Sequence, residues 1–177
     1  MRSILFVCAG NICRSPIAEA LFRRIAASRP PLAALEIGSA GTIALDGNRA
    51  TADAVRVARE EFDLDLSTHR ARNLYGLDAD LILTMDGIVT RDVNRLAPDG
   101  RVELLGEYAG TGEIVEDPYG CSCEVYRACA RQLEHLLLAA ADRLERDAGR
   151  GTRDGGRGTQ GAGPGTRTEG PGTRDPD

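Results

Sequence analysis

Ile4-Leu5-Phe6-Val7-Cys8-Ala9-Gly10-Asn11-Ile12-Cys13-Arg14-Ser15-Pro16-Ile17 is the stretch on which the reading of this chain turns. Residues 4–7 form a short, uninterrupted apolar run, the pattern of a strand buried on both faces. Behind Ser15-Pro16, the apolar residues Ile17, Ala20, Leu21 and Ile25 recur at helical spacing. Proline suits a first helical turn, where its missing N–H leaves nothing unpaired. Strand, loop and helix therefore follow in immediate succession. The unit then repeats along the chain. Residues 35–40 read as a second strand ending in Gly41, with a helix over 51–62; residues 79–84 read as a third strand, with a helical stretch through 91–96 before Pro98-Asp99-Gly100 turns the chain. Residues 102–105 are the fourth strand, and Val125, Ala128, Cys129, Leu133, Leu136, Leu137, Ala140 and Leu144 place one long amphipathic helix over 122–147. This alternation predicts an α/β fold, an open four-stranded parallel sheet flanked by helices on both faces. Ligands of such sheets bind beyond the carboxyl ends of the strands, so chemistry is expected in the loop after Val7.

Outside this pattern, residues 149–177 hold Gly, Arg, Thr, Asp and Pro, repeat Gly-Thr-Arg at 151, 165 and 172, and contain almost nothing apolar except Ala162. Such a segment cannot bury enough surface to offset its ordering entropy, and it is expected to be a disordered tail. The folded domain is then residues 1–148. No apolar stretch approaches the roughly 20 residues that span a bilayer, and the N-terminus enters a strand without the h-region of a secretory signal. A cytoplasmic protein is expected. The formal charge of −5, from 22 arginines and 27 acidic residues with no lysine, gives no reason to expect nucleic-acid or membrane partners. Five cysteines in a chain without an export signal argue against a disulfide scaffold and direct attention to individual thiols.

The loop meets each requirement of phosphoryl transfer through a cysteinyl intermediate. Cys8 ends a strand and faces successive backbone N–H groups leading into a helix N-terminus, a nest that binds a tetrahedral oxyanion. Ala9, Gly10, Asn11, Ile12 and Cys13 build that cradle, Gly10 and Asn11 being the residues that tolerate positive φ. Arg14 supplies a planar fork for two phosphate oxygens, and Ser15 offers a hydroxyl to the Cys8 sulfur. Further along, Asp117 precedes Pro118, which stiffens a loop able to carry a proton donor. Cys121, Cys123 and Cys129 lack a nearby histidine pattern, and Cys129 lies on an apolar helical stripe, so no metal site is expected.

At Val7 to Pro16 the sequence resembles the low-molecular-weight protein tyrosine phosphatase family, and the resemblance covers the whole folded domain. Ser39-Ala40-Gly41-Thr42, His69-Arg70-Ala71-Arg72 and Asp117-Pro118-Tyr119 match further family segments in the right order. The resemblance implies the phosphotyrosine protein phosphatase I-like fold, of Rossmann-like or flavodoxin-like type. It implies Cys8 as nucleophile, Arg14 as phosphate ligand, Asp117 as the acid that protonates the leaving oxygen, and a supporting network of Asn11, Ser15, Ser39 and His69. No cofactor is implied, and the partner is a phosphorylated protein substrate. In the family a cysteine at the place of Cys13 can form a reversible disulfide with the nucleophile; the residues alone fit a small buried side chain equally well.

Substrate choice is read from the cleft walls. Many family members have an aromatic residue after Ser-Ala-Gly, whereas here the stretch is Thr42-Ile43-Ala44-Leu45-Asp46-Gly47, leaving Leu45 and Tyr119 as the expected pocket walls. Residues 107–110 and 117–120 resemble a bacterial branch of the family that removes phosphate from arginine. That branch carries Thr where this chain has Ile12, as the tyrosine phosphatases do, so phosphotyrosine is the leading substrate and phosphoarginine the alternative. Thiol-linked arsenate reduction on the same fold needs resolving cysteines before the Asp-Pro element; here Cys121, Cys123 and Cys129 all follow it.

Overall fold

Four strands built from the expected apolar runs lie side by side in the order β2-β1-β3-β4, all parallel. The computed structural model describes residues 1–96 and 99–154. β1 (Ser3–Cys8) leads through a loop to α1 (Arg14–Ala27), β2 (Glu36–Gly41) to α2 (Ala52–Phe62), and β3 (Leu81–Thr84) to α3 (Gly87–Arg95). β4 (Arg101–Leu104), a short α4 (Leu105–Ala109) and the long α5 (Cys123–Asp154) complete the chain. The two faces of β1 explain its continuous apolar run. Ile4, Phe6 and Cys8 join the larger core with residues of α1, α2 and α5, while Leu5 and Val7 join a smaller one with Val89 and Val93 of α3. Both faces are covered, as a parallel sheet requires.

The sheet reverses its direction of growth at β1, with β2 on one side and β3 on the other. That switch point opens a crevice at the carboxyl end of β1, where Cys8 stands. Several boundaries differ from the expected ones: β3 begins at Leu81 rather than Ala79, and α3 begins at Gly87. Leu105, expected as the last residue of the fourth strand, begins α4 instead. β3 ends at Thr84, paired with Leu104, so a fifth residue of β4 would have no ladder partner. α4 itself, closed by Gly110 at φ 82°, is too short to leave a periodic signal. α5 continues to Asp154, so the first residues of the expected tail are helical. The remainder of that tail, 155–177, and Pro98 of the expected turn lie outside the described residues. Among the described residues, no helix is long and apolar enough to cross a membrane.

Candidate active site

Cys8 is the last residue of β1 and is almost wholly buried. The loop after it turns its carbonyls outward. Cys8 O accepts from Thr42 N at 3.1 Å, Ala9 O from Ile43 N at 3.0 Å, and Ile12 O from Thr51 N at 2.9 Å. Carbonyls bonded in this way to neighbouring elements are withheld from an anion, as a nest requires. One amide, Asn11 N, lies 3.3 Å from Cys8 Sγ. Asn11 adopts φ 53°, a left-handed conformation that Asn tolerates better than most residues.

Its side chain is the hub of the support. Asn11 Nδ2 donates to Ser15 Oγ at 2.8 Å and to Ser39 Oγ at 2.9 Å, and Asn11 Oδ1 accepts from Arg72 N at 2.9 Å. His69 Nε2 lies 2.8 Å from Asn11 O, and Ser39 Oγ donates to Glu19 Oε2 at 2.6 Å. Ser15 Oγ stands 3.1 Å from Cys8 Sγ and 3.3 Å from Ala40 O. The structure thus brings together Asn11, Ser15, Ser39 and His69 around Cys8, and adds Glu19 and Arg72.

Arg14, at the start of α1, is 2% exposed. Nη1 donates to Asp86 Oδ2 at 2.6 Å and Val115 O at 2.9 Å, and Nη2 donates to Asp117 Oδ2 at 2.7 Å. Burial works against the guanidinium charge, but the hydrogen bond to Asp86 and the neighbouring Cys8 and Asp117 outweigh it and raise the pKa. Arg14 Nε is buried with no partner. A buried unpaired donor is rare, and this one belongs to the fork edge that matches two oxygens of a phosphate. Asp86 Oδ1 also accepts from Val89 N at 2.8 Å, so one carboxylate caps α3 and fixes Arg14.

The cleft is lined by Cys8, Ala9, Gly10, Ile12, Cys13, Ile43, Asp117 and Tyr119. Tyr119 N donates to Asp117 Oδ1 at 3.2 Å, a turn that aims the carboxylate across the opening. The aliphatic wall is Ile43, not Leu45. Leu45, expected as a wall, is outside the lining, whereas Ile43 is tied to the loop by its N–H, which donates to Ala9 O. Cys13 Sγ is turned to Tyr126 Oη at 3.3 Å and Thr51 Oγ1 at 3.6 Å. Cys129 is packed in the core on α5, where burial pushes its thiol up to about 12.

Asp86 carried a signal that sequence reading passed over: it follows the third strand closely, at the sheet edge where ligands bind. Glu19 is one helical turn beyond Ser15. Thr51 and Tyr126 carried none that singles them out.

A parallel α/β sheet holding a cysteine loop of this geometry at its switch point defines a class, the cysteine-dependent phosphatases. The model of one family, described as low molecular weight phosphotyrosine protein phosphatase, matches residues 3–150. A low molecular weight protein-tyrosine-phosphatase, PtpB of Staphylococcus haemolyticus, is 35% identical over 136 residues, covering 76% of this chain and 94% of the relative. The protein-arginine-phosphatase of Bacillus subtilis is 36% identical over 151 residues, covering 81% and 97%. The crystal structure of a low molecular weight protein tyrosine phosphatase from T. tengcongensis superposes with a TM-score of 0.73 at 35% identity, covering 81% of this chain and 99% of that one. The chain belongs to the low-molecular-weight phosphotyrosine protein phosphatase family.

Proposed function

We propose that this enzyme hydrolyses phosphotyrosine monoesters in proteins through a phosphate ester of Cys8, with Arg14 as phosphate ligand and Asp117 as proton donor. The observation that carries the reading is the buried, unpaired Nε of Arg14 beside a cysteine at a strand end. Nε shares its edge of the guanidinium with Nη2, which Asp117 occupies. A phosphate monoanion taking both donors displaces the carboxylate and passes it a proton, and Asp117 moves to the leaving oxygen. The Cys8 sulfur, assisted by the Ser15 hydroxyl and Asn11 N–H, attacks phosphorus as the phosphorus–oxygen bond breaks, and protonated Asp117 gives its proton to the departing phenolate. Water then attacks phosphorus and yields its proton to Asp117. The sulfur–phosphorus bond breaks, inorganic phosphate leaves and the Cys8 thiolate returns. Loop amides and Arg14 face the equatorial oxygens throughout.

Ile12, Ile43 and Tyr119 form an apolar collar for a phenyl ring. The similarity to the Bacillus subtilis protein-arginine-phosphatase supports phosphoarginine as the second reading. The catalytic unit extends to the end of α5. The cytoplasm is the compartment that suits five free cysteines.

Turnover of matched phosphotyrosine and phosphoarginine peptides, in chelator, tests both readings. Wild type is expected to hydrolyse phosphotyrosine, Cys8→Ser to hydrolyse neither, and Ile12→Thr to shift toward phosphoarginine. Wild-type turnover of phosphoarginine alone would assign the second reading.

A further inference from the structure

A loop that keeps its amides for an anion must be held by its carbonyls and side chains. Asn11 does this for the first part of the loop. The last part ends at Cys13, which stands at the N-cap of α1 at φ −126° and ψ −85° and makes no side-chain capping bond. What holds it comes from two distant elements. Tyr126, on α5 and 2% exposed, has its hydroxyl 3.3 Å from Cys13 Sγ, across 113 positions of sequence. Thr51, at the start of α2, donates its hydroxyl to Tyr126 Oη at 3.3 Å, lies 3.6 Å from Cys13 Sγ, and gives its backbone N–H to Ile12 O at 2.9 Å.

The protons of this cluster have one consistent arrangement. Each hydroxyl and the thiol carries a single hydrogen. Thr51 spends its own on Tyr126, so Tyr126 gives its hydrogen to the Cys13 sulfur, and the Cys13 S–H closes back on Thr51 Oγ1. Burial raises the Cys13 thiol and the Tyr126 phenol above their ordinary values, so both keep the proton the ring needs at neutral pH. The ring joins α5 and the start of α2 to the residue immediately before Arg14.

We propose that Tyr126 and Thr51 are positioning residues of the phosphate loop, acting through Cys13 and the Ile12 carbonyl to set the Ile12 wall and the entry to Arg14. The proposal rests on the loop being a phosphate site. Neither residue touches the reacting atoms; without them the amides and guanidinium are still present but less well aligned, so phosphate is held less tightly.

A double-mutant cycle over Tyr126→Phe and Cys13→Ala tests it, read by calorimetric titration of the folded protein with inorganic phosphate and by kcat and KM on a phosphotyrosine peptide. Each single variant is expected to weaken phosphate binding about three- to tenfold, the effect of one lost hydrogen bond, with the change falling mainly on KM. The double variant is expected to be no weaker than the weaker single, because both break one ring. Thr51→Ser keeps the hydroxyl and should bind phosphate as wild type does, whereas Thr51→Val should not; this pair carries the test if Tyr126→Phe fails to fold. Independent, multiplying effects in the cycle, or wild-type phosphate affinity in folded Tyr126→Phe, would overturn the proposal. A wild type that binds phosphate but leaves the peptide intact sinks the phosphatase reading alone, and one that binds no phosphate sinks both.

Discussion

Asp117 and Asn11 show how much of the site resides in single side chains. Asp117→Asn removes the proposed proton donor but not the proposed nucleophile, so hydrolysis of a phosphotyrosine peptide is expected to slow by about 10²- to 10⁴-fold. An aryl phosphate with an acidic leaving group, such as p-nitrophenyl phosphate, needs little protonation and should slow far less. Equal losses on both substrates, measured under saturating conditions, would remove Asp117 from that role. Asn11 combines three side-chain hydrogen bonds with a left-handed backbone. Asn11→Gly loses only the bonds; Asn11→Ala adds backbone strain, and in urea unfolding the alanine variant should be the less stable of the two by about 1 kcal/mol. At this scale the sequence singled out the groups proposed to take the phosphate, because strand-end cysteine, permissive loop residues and arginine each answer a chemical need within one short segment. Asp86 and Glu19 were not legible as partners. Their contacts, Arg14 and Ser39, are made 72 and 20 positions away, and only the fold brings them together.

Among the elements, the end of β2 has the most direct influence on the loop. Gly41 pairs with Cys8 in the parallel register, and a Cβ at Gly41 would run into Ala9 O and stand 2.8 Å from Asn11 N. Both are backbone atoms of the phosphate loop, with little freedom to yield. Gly41→Ala is therefore expected to destabilise the protein by about 1–3 kcal/mol and to lower kcat/KM together with the melting temperature. A variant of wild-type activity and Tm would show that the strand end and loop are not in close contact. The apolar pattern placed residues 35–41 in a strand, but the closeness of its end to the phosphate loop came only through family resemblance, since close approach of two backbones leaves no periodic trace. The same limit hid α4, while β1, α1, α2 and α5 were legible because long apolar patterns determine them.

The whole molecule couples its thiols to its stability. In the unfolded chain a cysteine loses its proton near 9.0, whereas burial holds folded Cys129 protonated up to about 12 and raises Cys13 in the same direction. The folded state therefore binds more protons than the unfolded state above about pH 9, and stability falls as pH rises. Urea midpoints should be flat below about pH 9 and decline above it, and Cys129→Ala should lessen that slope. An unchanged slope in that variant would assign the alkaline loss to other groups. At this scale the α/β class and four parallel strands followed from alternating patterns, while the strand order, and hence the switch point that exposes Cys8, is a property of pairing that no single segment carries. The central claim is that a phosphoryl group passes through Cys8. Acid-quenching the enzyme within its first turnovers of a phosphotyrosine peptide, then mapping phosphorylated residues by mass spectrometry, tests this most directly. One phosphoryl group is expected on the Cys8 peptide, absent from Cys8→Ala; turnover with no phosphoenzyme, or with the label on another residue, would contradict transfer through Cys8.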